Sequence, residues 1–489
     1  MNAAERLLGE AALARHGARV ALYCGDESVT YEALAARVRG AAQAYAMAGV
    51  EPGNRVLVLL RDTPSFAVAW LGALWRGAVP IGLNNKLGEA DLRHIASDSD
   101  ARLLVTEASL ARETGVRSVD AGDIDCGPGT RPPHLGSAER PAFWLYSSGT
   151  TGRPKGVMHA HRAVLASGQA QGEVLGIGAG ERVLTTSKLF FAYALENGLL
   201  GPLVLGASSV LVPDWAEPDG ICGLVARHRP AAFFSVPSFY RRLLALPREK
   251  ITCFRDVRRF AAAGERLPSQ IVQAWRDATG GELLSIYGMS ETYCVSIVTR
   301  PGSSTGGHTG TPLDGVDARL DGVDAGATGE SGELWIRHPA LALGYANRPE
   351  QTREQFHGDW FCTRDMFARD ANGNYVHQGR SDELIKVSGQ WVRPGEIEET
   401  ALAVPAVADA ACVPFPDDDG LERLALFVIP RGDPAIATTA AGEACDRALQ
   451  RHQRPKWIRA IAELPRTATG KVQRFRLREI LAREFARSD

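Results

Sequence analysis

Tyr146-Ser-Ser-Gly-Thr-Thr-Gly-Arg-Pro-Lys-Gly156 is the stretch from which the rest of the chain can be read. Its eleven positions hold four serine and threonine hydroxyls, three glycines and two cations. Glycine lets a backbone turn tightly and approach a ligand closely. Hydroxyls, exposed amides and an ammonium are the groups that grip phosphate oxygens. Ser147, Ser148, Thr150, Thr151 and Lys155 are therefore candidate phosphate contacts. The spacing excludes a Walker A loop, which needs GxxxxGK[ST], because Gly149 is followed by Gly152 and then by Lys155-Gly156. Composition alone reads more readily as a flexible surface loop. The motifs further along the chain decide between the two.

The whole chain narrows the field. Its 489 residues exceed one ordinary core and predict two or more domains. With 45% hydrophobic and 23% charged residues the composition is globular. A net charge of −2 leaves no electrostatic footprint for nucleic acid and no polybasic membrane patch. The most apolar run, Leu199 to Val212, is interrupted by Gly201, Pro202 and Gly206 and is too short to span a bilayer. The eight cysteines form no CxxC pair, hence neither a zinc pattern nor a disulfide framework. No signal peptide is visible in Met-Asn-Ala-Ala-Glu-Arg, so a cytoplasmic enzyme is expected.

Helix and strand signals alternate through the first hundred residues. Thr30 caps an amphipathic stretch to about Ala48, Arg55–Leu60 is a strand, Pro64–Arg76 has helical period and Val79–Leu83 is a strand again. Asp91–Ala96 and Leu103–Val105 continue the alternation, and Ser209–Val212, Ala232–Val236 and Leu283–Tyr287 repeat the texture later. Such succession predicts parallel sheets covered by helices. Between Gly302 and Arg337 short Gly-rich alternating runs suit an antiparallel, barrel-like piece. Beyond Gly379-Arg-Ser-Asp382 a small α+β unit is expected, with strands at Leu384–Val387, Ala406–Val413 and Arg423–Ile429. Its helices are expected at Pro394–Leu402, Ala441–His452 and Phe475–Phe485. The expectation is an α/β protein: a large N-terminal domain over 1–380, and a small α+β C-terminal domain over 383–489.

Five further strings stand in order behind the opening one: Ala263-Gly264-Glu265, Tyr287-Gly-Met-Ser-Glu-Thr292, Asp365, Gly379-Arg-Ser-Asp-Glu-Leu-Ile-Lys-Val-Ser-Gly-Gln390 and Pro465-Arg-Thr-Ala-Thr-Gly-Lys471. Together they resemble the adenylate-forming superfamily of acyl-CoA synthetases, peptide-synthetase adenylation domains and firefly-type luciferases. The resemblance implies that Ala263, Gly264 and Glu265 line an adenine and that Tyr287 stacks on it. It implies that Ser290 and Thr292 face phosphate, Glu291 holds Mg²⁺, Asp365 the ribose hydroxyls and Arg380 ribose or phosphate. A carboxylate suits both the hard cation and two vicinal hydroxyls, though an acidic loop residue alone is more often solvated or a cap. The resemblance makes Asp382 a hinge for the small domain and sets Lys386, Ser388 and Gly389 beside a pantetheine arm in a second step. Lys471 becomes the catalytic ammonium, placed where carboxylate meets the α-phosphate and charge builds up. ATP, Mg²⁺ and coenzyme A are the implied partners of the chemistry.

Within that superfamily the chain is most similar to benzoate-CoA ligases and related aryl-CoA ligases. Phe143-Trp-Leu-Tyr-Ser-Ser-Gly149, Lys188-Leu-Phe-Phe-Ala-Tyr-Ala-Leu-Glu-Asn197 and Thr469-Gly-Lys-Val-Gln-Arg-Phe475 carry the likeness. It implies an acid pocket lined by Phe191, Ala192 and Tyr193 with Gly288 opposite, an aromatic slot suited to a flat ring. Two positions depart from that pattern: Glu196 replaces a common glycine and Cys294 a common histidine. Glu196 lies three residues after Tyr193, so a helix puts both on one face. It then either meets a ring substituent or a pocket cation, or faces solvent, the usual place of a glutamate. Arg364 stands before Asp365 where glycine is usual. The implied activity joins an aryl carboxylate, benzoate or a substituted benzoate, to coenzyme A through an acyl-adenylate. Loading of a carrier-protein pantetheine, a non-aromatic medium-chain acid and a homodimeric state stay open.

Overall fold

Thr30 begins the first long helix as its pattern predicts: its hydroxyl accepts the Ala33 N–H at 3.1 Å, and the helix runs Tyr31–Met47. The next helix, Pro64–Arg76, is buried nearly all round, starts on a proline and stops at Gly77 with φ of 84°. The two helices cross closely, since a Cβ on Gly72 would stand 2.5 Å from that of Ala41. The computed structural model describes residues 1–148, 153–326, 329–381, 385–387, 390–417, 419–466 and 472–485. Its contacts divide into two compact units, Met1–Arg319 with Trp335–Cys362 and Arg369–Val376, and Leu320–Leu334 with Thr363–Ala368 and His377–Asp489.

The larger unit holds two mostly parallel sheets. One has seven strands in the order Gly344–Tyr345, Pro154–Ala160, Pro141–Ser148, Val79–Gly82, Arg55–Leu59, Ala101–Thr106 and Ser118–Asp120. The pairs from Pro141–Ser148 to Ser118–Asp120 are parallel, and the other two are antiparallel. The nine-stranded sheet runs Thr311–Pro312, Ile297–Val298, Leu283–Tyr287, Arg259–Ala262, Ala232–Ser235, Arg182–Thr185, Ser208–Val210, Val20–Cys24 and Glu27–Thr30. Apolar helices cover these sheets, as strands buried on both faces require.

The Gly-rich region becomes a five-stranded sheet, ordered Asp317–Gly326, Gly329–Arg337, Trp360–Arg369 and Phe356–His357, with Tyr375–Arg380 also paired to Trp360–Arg369. The smaller unit contains a three-stranded sheet of Val407–Pro416, Glu422–Pro430 and Trp457–Ala460. Alternation sends Ala410 and Cys412 to one core, while Ala411 and Val413 go to another that includes Leu477 and Leu481. The helix expected at Ala441–His452 instead runs Pro434–Ala448. Asp433 caps it by accepting the Ala435 N–H at 2.7 Å, and Pro434 opens it, a start signal the apolar pattern alone overlooked. Among the described residues no helix is long and apolar enough to cross a membrane.

Candidate active site

The two ends of the opening motif lie on neighbouring strands. Strand Pro141–Ser148 pairs antiparallel with Pro154–Ala160, setting Ser147 opposite Lys155 and Ser148 opposite Pro154. The Ser147 hydroxyl is shielded from solvent and has no hydrogen-bond partner among the described residues. Thr150 and Thr151 lie outside the described residues. Lys155 reaches the other conspicuous motif: its Nζ is 3.4 Å from Glu291 Oε1 and 3.8 Å from the centre of the Tyr345 ring. The Tyr345 hydroxyl donates to the same Glu291 oxygen at 2.8 Å. Glu291 is only 7% exposed, so carboxylate, ammonium and phenol form a half-dry cluster in which charge interactions are strong. Tyr345 lies 54 residues beyond Glu291 and carries no motif that would have marked it.

The backbone after Glu291 explains its aim. Cys294 N–H donates to Thr292 O at 2.7 Å around Tyr293, whose φ is +58°, a tight turn in a region that bulky residues rarely occupy. Packing holds it there. The Tyr293 ring meets Phe143 edge-on at 5.0 Å and His159 at 5.6 Å, and its hydroxyl accepts from Ser167 at 3.1 Å. His159 stacks on Phe143 and bonds Ser290 O at 2.8 Å through Nε2. Burial drives the His159 pKa down to about 3, so it is a neutral brace. The fully buried Thr292 hydroxyl donates to Cys294 O at 3.3 Å and so closes its own loop, leaving the partly exposed Ser290 as the outward hydroxyl.

Tyr287 ends strand Leu283–Tyr287 partly exposed. Beyond the parallel neighbour Arg259–Ala262, Ala263 is buried, and Gly264, with φ of +85°, and Glu265 are exposed. Glu265 accepts from the Ser238 N–H at 3.2 Å and hydroxyl at 3.1 Å. Because the two strands are parallel, both segments leave at the same edge of the sheet, the usual place for a ligand in such sheets.

In the smaller unit Asp365, 7% exposed, has Arg380 Nη1 at 3.5 Å and His377 Nε2 at 3.9 Å from its Oδ1. The Asp365 N–H donates to Thr363 Oγ1 at 3.0 Å. Arg364 takes φ of +61°, so an arginine adopts the left-handed backbone that a glycine would adopt without strain. Ser381 Oγ donates to Glu333 Oε1 at 2.6 Å and lies 3.1 Å from Arg364 O, fastening that turn. Lys386 is exposed on the hairpin of Ile385–Val387 and Gln390–Val392. Asp382, Ser388, Gly389 and Lys471 lie outside the described residues.

The acid-pocket candidates cluster around a short helix, Ala192–Leu195, with Phe191, Ala192 and Tyr193 all partly exposed. Tyr193 OH points to the carbonyls of Ser235 at 3.3 Å and Ala261 at 3.2 Å. Glu196 does not face solvent. It is 2% exposed and opens a π-turn, Glu196–Leu200, immediately after that helix. Its oxygens accept from the Val295 N–H at 3.4 Å and from Asn197 Nδ2 at 3.3 Å, and burial pushes its pKa up to about 8. Cys294 is equally buried, and its thiol too is held well above its ordinary range by burial. A Cβ on Gly288 would lie 3.0 Å from Cys294 O, so this wall closes onto bare backbone.

The segment leading into the pocket hangs on a buried ion pair that sequence reading missed. Lys188 Nζ donates to the carbonyls of Val212, Pro213 and Asp214 and lies 3.7 Å from Asp62 Oδ2. Asp62 in turn accepts the Leu189 N–H at 3.2 Å. Burial raises the Asp62 pKa to about 7 and lowers that of Lys188, while three carbonyl acceptors hold the ammonium form. Among the described residues no group of three or more His, Cys, Asp or Glu side chains is gathered for a metal ion.

Several CoA ligases are similar to this chain over nearly its whole length. A 3-hydroxybenzoate–CoA/4-hydroxybenzoate–CoA ligase of Thauera aromatica is 38% identical, covering 98% of this chain and 97% of its own. The solved anthranilate CoA ligase AuaEII, in complex with anthranoyl-AMP, superposes with a TM-score of 0.90 at 30% identity over 99% of this chain and 98% of that one. A benzoate CoA ligase from Burkholderia xenovorans LB400 gives 0.87 at 31% identity, covering 98% of this chain and all of its own. Residues 9–346 match the AMP-binding enzyme family, and residues 396–471 match the AMP-binding enzyme C-terminal domain. The chain belongs to the AMP-binding enzyme family.

Proposed function

We infer that this protein is an AMP-forming aryl-CoA ligase, joining an aryl carboxylate to coenzyme A at the expense of ATP. The observation that carries the reading is the cluster of Lys155, Glu291 and Tyr345 beside the strands that hold Ser147 and Lys155. The full-length likeness to hydroxybenzoate-, benzoate- and anthranilate-CoA ligases supports the aryl acid.

In the first step a carboxylate oxygen attacks the α-phosphorus of ATP and pyrophosphate leaves. Ser147, Ser148, Thr150, Thr151, Lys155 and Ser290 are assigned to the phosphate oxygens, and the orphaned Ser147 hydroxyl fits such an acceptor. Thr292 shapes the loop that carries Glu291. Glu291 is a buried hard-oxygen donor and fits Mg²⁺, which leans on substrate phosphates for its other ligands. Bound there, the ion neutralises charge on the phosphates. Asp365 and Arg380 are assigned to the ribose side, Tyr287 with Ala263, Gly264 and Glu265 to adenine, and Phe191, Ala192, Tyr193 and Gly288 to the aryl ring. Lys471 supplies the ammonium over the reacting oxygens.

In the second step the coenzyme A thiolate attacks the acyl carbonyl and AMP leaves, with Lys386, Ser388 and Gly389 assigned to the pantetheine arm and Asp382 to the hinge between steps. AMP release should require ATP, an aryl acid and coenzyme A together, and Lys471→Ala should slow adenylate formation by about 10²–10³. Full-speed acyl-AMP formation by Lys471→Ala would overturn the assignment of that lysine. Preference for fatty acids over benzoates would overturn the aryl reading.

A further inference from the structure

Glu196 lies beside the residues assigned to the acid pocket. Its own N–H closes onto the carbonyls of Ala192 and Tyr193, so it lies one turn deeper on the side that carries both pocket residues. Across from them its carboxyl accepts the Val295 N–H, and the Cys294–Val295 backbone lies within 3.6 Å of where a side chain on Gly288 would begin. The carboxyl is thus set between the two walls assigned to the aryl ring. The titratable groups around it are Tyr193 on its own helix and Tyr293 and Cys294 opposite, all held protonated by burial.

A buried carboxyl in the interior needs a reason. Among the described residues no lysine, arginine or histidine forms an ion pair with Glu196; its contacts are neutral donors, with the Asn197 amide and Val295 N–H at a long 3.3 and 3.4 Å and the Cys294 thiol and Gly168 N–H also turned to it. Burial keeps it neutral at physiological pH, so it can donate one hydrogen bond and accept others. The π-turn beginning at Glu196 inserts a residue into the helical course and re-aims the side chain, a device that recurs at functional sites. An unsubstituted ring edge offers this carboxyl nothing, whereas a hydroxyl or amino group satisfies it.

We propose that Glu196 is the specificity-determining group of the acid pocket, hydrogen-bonding a hydroxyl or amino substituent on the aryl ring, with the neutral Cys294 thiol beside it. The proposal rests on the aryl-CoA ligase reading and deepens it. It favours substituted benzoates over benzoate itself.

The test is kcat/KM from AMP release with benzoate, 3-hydroxybenzoate, 4-hydroxybenzoate and 2-aminobenzoate, for wild type, Glu196→Gln, Glu196→Met and Glu196→Gly. Wild type should prefer at least one substituted acid, and the arms of the panel identify which substituent. Met and Gly should lower the ratio of that acid to benzoate roughly 10-fold or more, because a hydrogen bond made inside the pocket is lost. Gln, which both donates and accepts, should keep the ratio within about 3-fold of wild type. A merely structural glutamate would lower all four activities together. Unchanged ratios in active variants would overturn the proposal alone, and an enzyme inactive on every benzoate would take the aryl reading down with it. Should Gly fail to fold, the contrast between Met and Gln decides.

Discussion

Lys155 Nζ lies 3.4 Å from Glu291 Oε1, and the Tyr345 hydroxyl donates to that same oxygen at 2.8 Å. The carboxylate assigned to a cation is therefore already steered by a lysine assigned to phosphate. On the proposed reading, a polyphosphate entering between them would give Lys155 a second anion and free Glu291 for Mg²⁺. Charge removal should be felt in the transition state more than in binding. Glu291→Gln is expected to slow acyl-adenylate formation by about 10²–10³, and to raise the Mg²⁺ concentration needed for half-maximal rate, both measurable by pyrophosphate release across a Mg²⁺ series.

Lys188 and Asp62 are both almost wholly buried, at 2% and 4% exposure. Lys188→Met strands the Asp62 carboxyl and three carbonyls, and should cost about 3–5 kcal/mol of stability. Adding Asp62→Asn should recover a large part of that loss. Urea midpoints of the two singles and the double give the coupling, and simple additivity would show that the pair does not act as a unit.

Glu196 makes stability depend on pH with a definite sign. Its carboxyl keeps its proton to about pH 8 when folded but loses it near 4.5 when unfolded. Between those values the folded state binds the extra proton, so this group's contribution is largest below pH 4.5 and declines as pH rises toward 8. Glu196→Gln removes that slope. Its advantage over wild type should grow from pH 5 to 8 and reach on the order of 4 kcal/mol, read from denaturant midpoints at each pH.

Arg364 occupies the left-handed region at φ of +61°. Arg364→Gly is expected to stabilise the protein by about 1 kcal/mol, the relief of backbone strain less the extra freedom of the unfolded glycine. Arg364→Val should destabilise it by at least as much. Thermal midpoints of the two variants should move in opposite directions, whereas a shared direction would mean that the arginine side chain, not its backbone, matters.

Where local chemistry decides structure, the sequence was a good guide. Pro64–Arg76 and Leu283–Tyr287 come out at their expected bounds, because a proline start, a glycine stop or an unbroken apolar run acts within a few residues. The ordered motifs likewise brought Lys155 and Glu291 together, and Asp365 with Arg380. The fate of Glu196 could not be read this way. Helical period put it beside Tyr193, but a solvent-facing side was equally consistent, and only the loop carrying Val295 makes that side interior. Tyr345, His159 and Asp62 were missed for the same reason, since each gains its role from a partner far away in the chain. Arg364 shows the reverse: the missing glycine was visible, and the left-handed turn survives without it because Ser381 and Glu333 tie it down.

The ring of Tyr293 rests on Phe143 and His159, which belong to the two strands of the hairpin, and His159 also holds Ser290. Hairpin and acidic loop are thereby bolted into one jaw. Widening the gap between Lys155 and Glu291 would mean unstacking buried rings and stranding a carbonyl, so incoming nucleotide meets a grip whose spacing was set during folding. Little ordering is then left for the binding event to supply, and affinity need not be lost in assembling the site.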